Sequence, residues 1–354
     1  VSGFAGASVL VTGGAGFVGS NLVARLLALD AQQVHIVDNL LSSERSNIPD
    51  DARIVFTEGS IADDAVLKDL ADRYDFIFQL ATYHGNQSSI HDPLADHEHS
   101  LLTTLKLFET IKHFRRLRRV VYAGAGCAVA EKTYGPAHAT AEDAPLSFQM
   151  DSPYSISKVV GEFYAVYYHS RHGLPTVRAR FQNVYGPGEI LGAGKWRGTL
   201  ATVWRNVVPT FIYKAIKGES LPVEGHGDAS RDFIYVGDIV EGLLACAGRG
   251  ANGEVYNLAS GKETTILELA NLINALAGNS APIAWRPARP WDRSGRRLGS
   301  TEKAKRDLGF QAQVDLHQGL RQTLAWTRDN LALIEATMQK HAAHMAALMQ
   351  AEEK

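Results

Sequence analysis

Ser8-Val9-Leu10-Val11-Thr12-Gly13-Gly14-Ala15-Gly16-Phe17-Val18-Gly19-Ser20 is the stretch on which the fold turns. It reads as a strand, a glycine-rich turn and the opening of a helix over 20–29. Glycines at such a turn permit a tight bend, let backbone N–H groups approach a pyrophosphate, and let the helix pack close to the sheet. A second strand ends in Asp38, 19 residues after Gly19, where a carboxylate meets the ribose hydroxyls of a bound dinucleotide. The same carboxylate repels a 2'-phosphate, so the expected cofactor is NAD rather than NADP.

Outward from this unit, short apolar runs alternate with helical patterns, the mark of a parallel sheet wound with helices. Further strands are expected at 34–37, 53–56, 76–80, 120–123 and 175–179, with helices over 101–113 and 154–171. The rhythm weakens at Tyr185-Gly186-Pro187-Gly188, a break that suggests a change of domain. Beyond it come a helix near 208–217, a strand near 231–236 and a helix near 238–247. The fold class expected is α/β: a Rossmann-type doubly wound parallel sheet over 1–185, with a smaller C-terminal α/β substrate domain over 186–330. Part of 231–262 is expected to return to the first domain. From 331 to 349, apolar residues at Leu331, Ile334, Met338, Ala342, Met345 and Leu348 fall at spacings of 3 and 4. They describe one apolar stripe of a helical extension over 331–354, packed on its own domain or on a second subunit.

Composition narrows the function classes. The 354 residues are 45% hydrophobic and 21% charged, ordinary for a globular chain long enough for two domains. A net charge of -2 argues against bulk attraction to nucleic acid or to an anionic membrane. Cys127 and Cys246 are the only cysteines; they form no disulfide framework and match no zinc-site spacing. No apolar run reaches the roughly 18 residues of a membrane span, and no secretory segment precedes the first strand, so the cytoplasm is the expected location.

Tyr154-Ser155-Ile156-Ser157-Lys158 supplies chemistry for the dinucleotide. On a helix, positions four apart share a face, bringing the lysine ammonium toward the tyrosine phenol. To act as a base near neutrality the phenol must titrate about 3 units below its usual value of about 10, worth about 4 kcal/mol. One positive charge about 4 Å away supplies roughly that much at an effective dielectric of about 20. An oxidised nicotinamide ring adds to it.

The glycine turn, Asp38-Asn39-Leu40, Leu80-Ala81, Tyr154-x-x-x-Lys158, Arg180-Phe181-x-Asn183-x-x-Gly186-Pro187 and Arg231-Asp232-Phe233-Ile234-x-Val236-x-Asp238 follow one another in this order. Over roughly residues 7–326 the chain resembles the extended short-chain dehydrogenase/reductases, and within them the nucleotide-sugar epimerase and dehydratase branch. The resemblance implies that NAD stays bound through the cycle and that the second domain holds the nucleoside diphosphate of an activated sugar. By matched position it puts Gly13, Gly16, Phe17, Val18, Asp38, Asn39, Leu40, Ser42 and Ser43 against the cofactor. Ser60, Ile61, Leu80, Ala81, Thr82, Ala123, Tyr154, Lys158 and Phe181 join them. Asn183, Asn206, Arg231 and Arg289 are implied to face the diphosphate and sugar, and His84 and Ala125 to lie near the sugar. A guanidinium suits the diphosphate on physical grounds too, since it bonds phosphate oxygens bidentately. The resemblance further implies a homodimer through the helices 101–113 and 154–171.

The chain departs from the family after the strand at 120–123. Where relatives carry a serine or threonine whose hydroxyl bonds the substrate oxygen, the run Tyr122-Ala123-Gly124-Ala125-Gly126-Cys127 has Ala125. Losing such a bond typically costs a few kcal/mol of transition-state stabilisation, so another group replaces it or the chemistry differs. Cys127 stands where dehydratases and decarboxylases carry a proton-moving glutamate. It is either an acid/base assistant or a small buried hydrophobe. Gly124, Ala125 and Gly126 are candidates for clearing room for a bulky sugar. A 4,6-dehydratase needs an acid and a base beyond the tyrosine, and no carboxylate pair stands here. The expected activity is therefore C4 epimerisation of a nucleoside-diphosphate sugar, UDP-linked and serving synthesis of a polysaccharide or a glycosylated metabolite. The alternatives are a dehydratase or other sugar-modifying enzyme using Cys127, and a sensor of NAD(H) or nucleotide sugar without turnover.

Overall fold

The computed structural model describes residues 3–83, 85–129, 135–292 and 295–352, without the side chains of Cys127, Met349, Ala351 and Glu352. Seven parallel strands build the large sheet: β1 (Ser8–Thr12), β2 (Gln33–Asp38), β3 (Ile54–Glu58), β4 (Phe76–Gln79), β5 (Arg119–Ala125), β6 (Thr176–Phe181) and β7 (Val255–Leu258). Their spatial order is β7-β6-β5-β4-β1-β2-β3, so the direction of winding reverses between β1 and β4. Ligands of such sheets bind in the crevice at the carboxyl ends of the strands, at that reversal.

Side chains alternate along the strands with period two, and each face buries its own core. Val9, Val11, Phe76, Phe78 and Val121 pack on one face with Leu22 and Leu26 of helix α1 (Phe17–Ala28) and with Ile239 and Leu243 of helix Val236–Arg249. Leu10, Ile77, Val120 and Tyr122 pack on the other with Leu107, Phe108 and Ile111 of helix Thr103–Ile111 and Ala165 and Tyr168 of helix Pro153–His172. β7 adds to the edge of the sheet by pairing with β6.

A separate apolar core lies beyond the carboxyl ends. Val208, Phe211 and Ile212 of helix Val207–Ile216, Phe233, Leu269, Ile273 and Leu320 pack around Tyr185. A three-stranded sheet of Asn183–Tyr185, Ser230–Tyr235 and Glu263–Thr265 ties this core to the end of β6.

The C-terminal stretch differs from the single helix the stripe suggests. It is two helices, Leu331–Gln339 and Ala342–Glu352, separated at Lys340 and His341. Both interrupting residues are anchored elsewhere: the Lys340 ammonium pairs with Glu44, and the buried His341 ring meets the Gly192 carbonyl at 2.9 Å. Ile334 and Met338 pack with Ile190, Leu191 and Val203. No helix among the described residues is long and apolar enough to cross a membrane.

Candidate active site

The turn after β1 is shaped by close approach. Gly13 has φ +72°, and a Cβ there would lie 2.9 Å from the Ala81 nitrogen at the end of β4. A Cβ on Gly19 would run into the Gly13 carbonyl, so the first turn of α1 lies directly against the loop. The Asp38 carboxyl at the end of β2 accepts bonds from the Ala15 nitrogen at 3.0 Å, the Leu40 nitrogen at 2.9 Å and the Ser43 hydroxyl at 2.9 Å. Burial pushes this carboxyl up and those three donors oppose the shift. Acidic residue and glycine turn are thereby locked in one geometry, with α1's free N–H groups beside them. This cradle has the chemistry a dinucleotide needs, N–H groups suited to a pyrophosphate and a carboxylate suited to ribose hydroxyls.

Helix Pro153–His172 starts where the sequence suggests. Ser152 caps it by accepting from the Ser155 nitrogen at 3.2 Å, Pro153 occupies its first turn, and Gly173 closes it at φ +70°. The Ser89 hydroxyl accepts from the Tyr154 nitrogen at 3.1 Å, fixing the start of the helix to the segment Asn86–His91. The buried Lys158 ammonium donates to the Ala123 carbonyl of β5 at 2.9 Å and lies 5.7 Å from the centre of the Tyr154 ring. Next to it, fully buried Asp96 accepts from the Ser157 hydroxyl at 2.6 Å.

The small residues at the end of β5 and just beyond it make room for the protein itself. A Cβ on Gly124 would lie 2.6 Å from a carboxylate oxygen of Glu162, which holds Arg180 by paired bonds of 2.9 to 3.1 Å. A Cβ on Gly126 would run into the Gln182 amide. The room for a bulky sugar that the sequence suggests at these two glycines is instead filled by Glu162 and Gln182.

At the far end of the cavity, Arg231 is buried and donates to the Ser230 and Gly295 carbonyls at 2.7 and 2.8 Å and to Asp292 at 3.2 Å. Arg289 is more exposed, pairs with Glu224 at 2.6 Å, and stacks over Trp291. The Asn206 amide, at the start of helix Val207–Ile216, donates to Glu189. Burial pushes the Glu189 carboxyl up to about 7.

One cavity of about 830 Å³ joins these parts. Gly13, Gly16, Phe17, Val18, Asp38, Asn39, Ser42, Ser43, Ser60, Ile61, Leu80, Ala81, Thr82, Ala123, Tyr154, Lys158 and Phe181 line it, with Ala125, Asn183, Asn206, Arg231 and Arg289. Leu40 is outside this lining; its backbone nitrogen holds Asp38, at φ +54°. His84 and the Cys127 side chain lie outside the described residues. Sequence reasoning passed over Glu189, Gln182, Arg205 and Arg297 in the lining. Arg297 sits in the basic stretch 286–297, which was a signal; Glu189 gave none.

The chain belongs to the NAD dependent epimerase/dehydratase family, whose pattern its residues 9–259 match. It is an enzyme of that NAD-dependent class. The Bordetella bronchiseptica enzyme WbmF, crystallised with NAD+ and UDP, is 59% identical, with a TM-score of 0.88 over 97% of this chain and 98% of that one. The epimerase Mth375 of Methanothermobacter thermautotrophicus is 40% identical, with a TM-score of 0.86 over 94% and 95% of the two chains. The UDP-glucose 4-epimerase of Mycolicibacterium smegmatis is 32% identical over 90% of this chain and 98% of its own.

Proposed function

We propose that this enzyme inverts C4 of a UDP-linked sugar. The carrying observation is that Tyr154 and Lys158 share one cavity with a dinucleotide cradle at one end and Asn206, Arg231 and Arg289 at the other. NAD held in that cradle would supply the acceptor for the hydride leaving C4 and, once reduced, the donor that restores it. Tyr154 takes the C4 hydroxyl proton and later gives it back. Lys158, braced by the Ala123 carbonyl, favours the phenolate by its charge. Arg231, rigid through three bonds, holds the diphosphate while the sugar rotates beyond it. No carboxylate occurs at Ala125, Gly126 or Cys127, so the additional acid and base that water elimination requires are missing there.

The UDP assignment draws on WbmF, crystallised with UDP, and on the M. smegmatis UDP-glucose 4-epimerase. A panel of UDP-hexoses, UDP-N-acetylhexosamines and their uronic acids, followed by proton NMR, tests the activity. Large H3–H4 and H4–H5 couplings that become small at equilibrium establish inversion at C4 and name the sugar. An accumulating 4-keto product instead supports the dehydratase alternative.

The proposed assembly is a homodimer. Ile156, Phe163 and Tyr167 on helix Pro153–His172 are 51%, 55% and 52% exposed, and their spacings of 7 and 4 make one apolar face. Phe163→Glu is expected to convert a dimer to a monomer in sedimentation; a monomeric parent protein would refute the assembly. The setting proposed is cytoplasmic, with the product serving polysaccharide synthesis.

A further inference from the structure

Arg297 lines the cavity wall and is only 7% exposed. Among the described residues its guanidinium makes no hydrogen bond and no ion pair. Nε is sealed off without a partner, while the two terminal nitrogens are not sealed and are what the side chain presents to the cavity. The charges along this stretch are already engaged. Arg231 pairs with Asp292, Arg289 with Glu224 and Arg296 with Glu263. Asp232 accepts from the Ser260 nitrogen and hydroxyl at 2.9 and 2.6 Å, the Gly261 nitrogen at 3.0 Å and the Gly299 nitrogen at 3.3 Å. A buried guanidinium without a counter-charge is costly, so the ligand of the cavity has to supply one.

The chain places this cation beside the sugar rather than the nucleotide. Burial alternates along 295–299, with Gly295, Arg297 and Gly299 inward. At one end of that run the Gly295 carbonyl accepts from Arg231 at 2.8 Å. At the other, a Cβ on Gly299 would lie 2.7 Å from the Gln182 amide nitrogen, the same amide that a Cβ on Gly126 would strike. Ala125, next to Gly126, packs with Tyr154. Arg297 thus stands between the guanidinium assigned to the diphosphate and the tyrosine assigned to C4, the interval a sugar ring spans.

We propose that Arg297 recognises a carboxylate on the sugar, so that the preferred substrate is a UDP-linked hexuronic acid. This rests on the UDP-sugar reading under Proposed function. The terminal nitrogens of a guanidinium form a fork that matches the two oxygens of a carboxylate. The hydroxymethyl group of a neutral hexose offers one uncharged oxygen and leaves the cation without its counter-charge. Arg231 and Arg289 already serve the diphosphate, so a third guanidinium farther along the cavity selects the sugar.

Calorimetry on the NAD-loaded full-length protein tests this with UDP, UDP-glucose, UDP-galactose, their uronic acids, and the 2-acetamido forms of all four sugars. The parent protein is expected to bind a uronic acid about 10–150-fold more tightly than the neutral sugar of the same configuration. Arg297→Gln is expected to remove most of that gap while changing UDP affinity less than about threefold, since UDP lacks the carboxylate. Arg297→Lys, which keeps the charge without the fork, is expected to narrow the gap and provides the same comparison if the glutamine variant fails to fold. A parent without the gap, or a variant that keeps it whole, overturns the proposal. Equal weakening of UDP and of every sugar by the variant does so too, and moves Arg297 to the diphosphate. Inversion of a neutral UDP-hexose as readily as of its uronic acid overturns the proposal and leaves the proposed function standing. A parent that binds neither UDP nor any of these sugars overturns both.

Discussion

Tyr154 carries the proton chemistry in this account, and Lys158 carries the charge that makes it feasible. Tyr154→Phe removes only the hydroxyl, so turnover is expected to fall by about 10²–10⁴-fold while calorimetry still detects bound UDP. Loss of UDP binding together with turnover would assign Tyr154 to binding instead. Gly126→Ala drives a methyl group into the Gln182 amide and is expected to lower stability by about 1–3 kcal/mol in urea unfolding. An unchanged midpoint would show that Gln182 swings aside freely. The Tyr–Lys pair was legible because a spacing of four is a local property of one helix. Glu189 was not, because its burial in the cavity wall and its bond from Asn206, 17 residues on, exist only in the folded chain. In the sequence it is one acidic residue in a Gly/Pro break, where a solvated loop is the ordinary reading.

β2 shows how an element carries both cofactor geometry and acid sensitivity. It ends in Asp38, and its buried His35 meets the Tyr74 hydroxyl at 2.6 Å and the Thr57 hydroxyl at 2.9 Å. Burial, aided by the nearby Arg73 charge, lowers His35 to about 4. In the unfolded chain the ring protonates near 6.5, so between these values the unfolded state binds more protons. The stability His35 provides is therefore complete above about pH 6.5 and is lost progressively as pH falls toward 4, on the order of 3 kcal/mol. Urea unfolding at pH 7 and 4.5 is expected to show a smaller loss for His35→Gln than for the parent; equal losses would contradict this. Strands β1 to β6 were legible from apolar runs and the winding rhythm. β7 follows no such rhythm, and its place at the edge is fixed by pairing with β6, a long-range contact.

At the scale of the molecule, the C-terminal extension fastens a loop over the cofactor end of the cavity. Thr337 donates to the Leu191 carbonyl at 2.8 Å, His341 meets Gly192, and Trp196 stacks on His344 at 5.0 Å between ring centres. That loop in turn grips the residues after Asp38: the Lys195 nitrogen donates to the Leu41 carbonyl at 2.9 Å and Arg205 to the Ser42 carbonyl at 2.8 Å. Removing residues 331–354 is expected to speed NAD release at least about tenfold, since lid-like segments gate exchange, while the seven-stranded core still folds. Unchanged retention of NAD on dialysis would sink that role. The apolar stripe was readable in the sequence, but its break was not, because Lys340 and His341 are drawn to partners about 300 and 150 residues away, at Glu44 and Gly192. The central claim, reversible inversion at C4 without elimination, is tested most directly by running the identified UDP-sugar to equilibrium in D₂O and mapping deuterium by NMR and mass spectrometry. The expected result is an inverted product with its carbon-bound hydrogens undiluted, because the C4 hydrogen never meets solvent. Solvent deuterium at C5 of the product would contradict it and turn the enzyme toward dehydration.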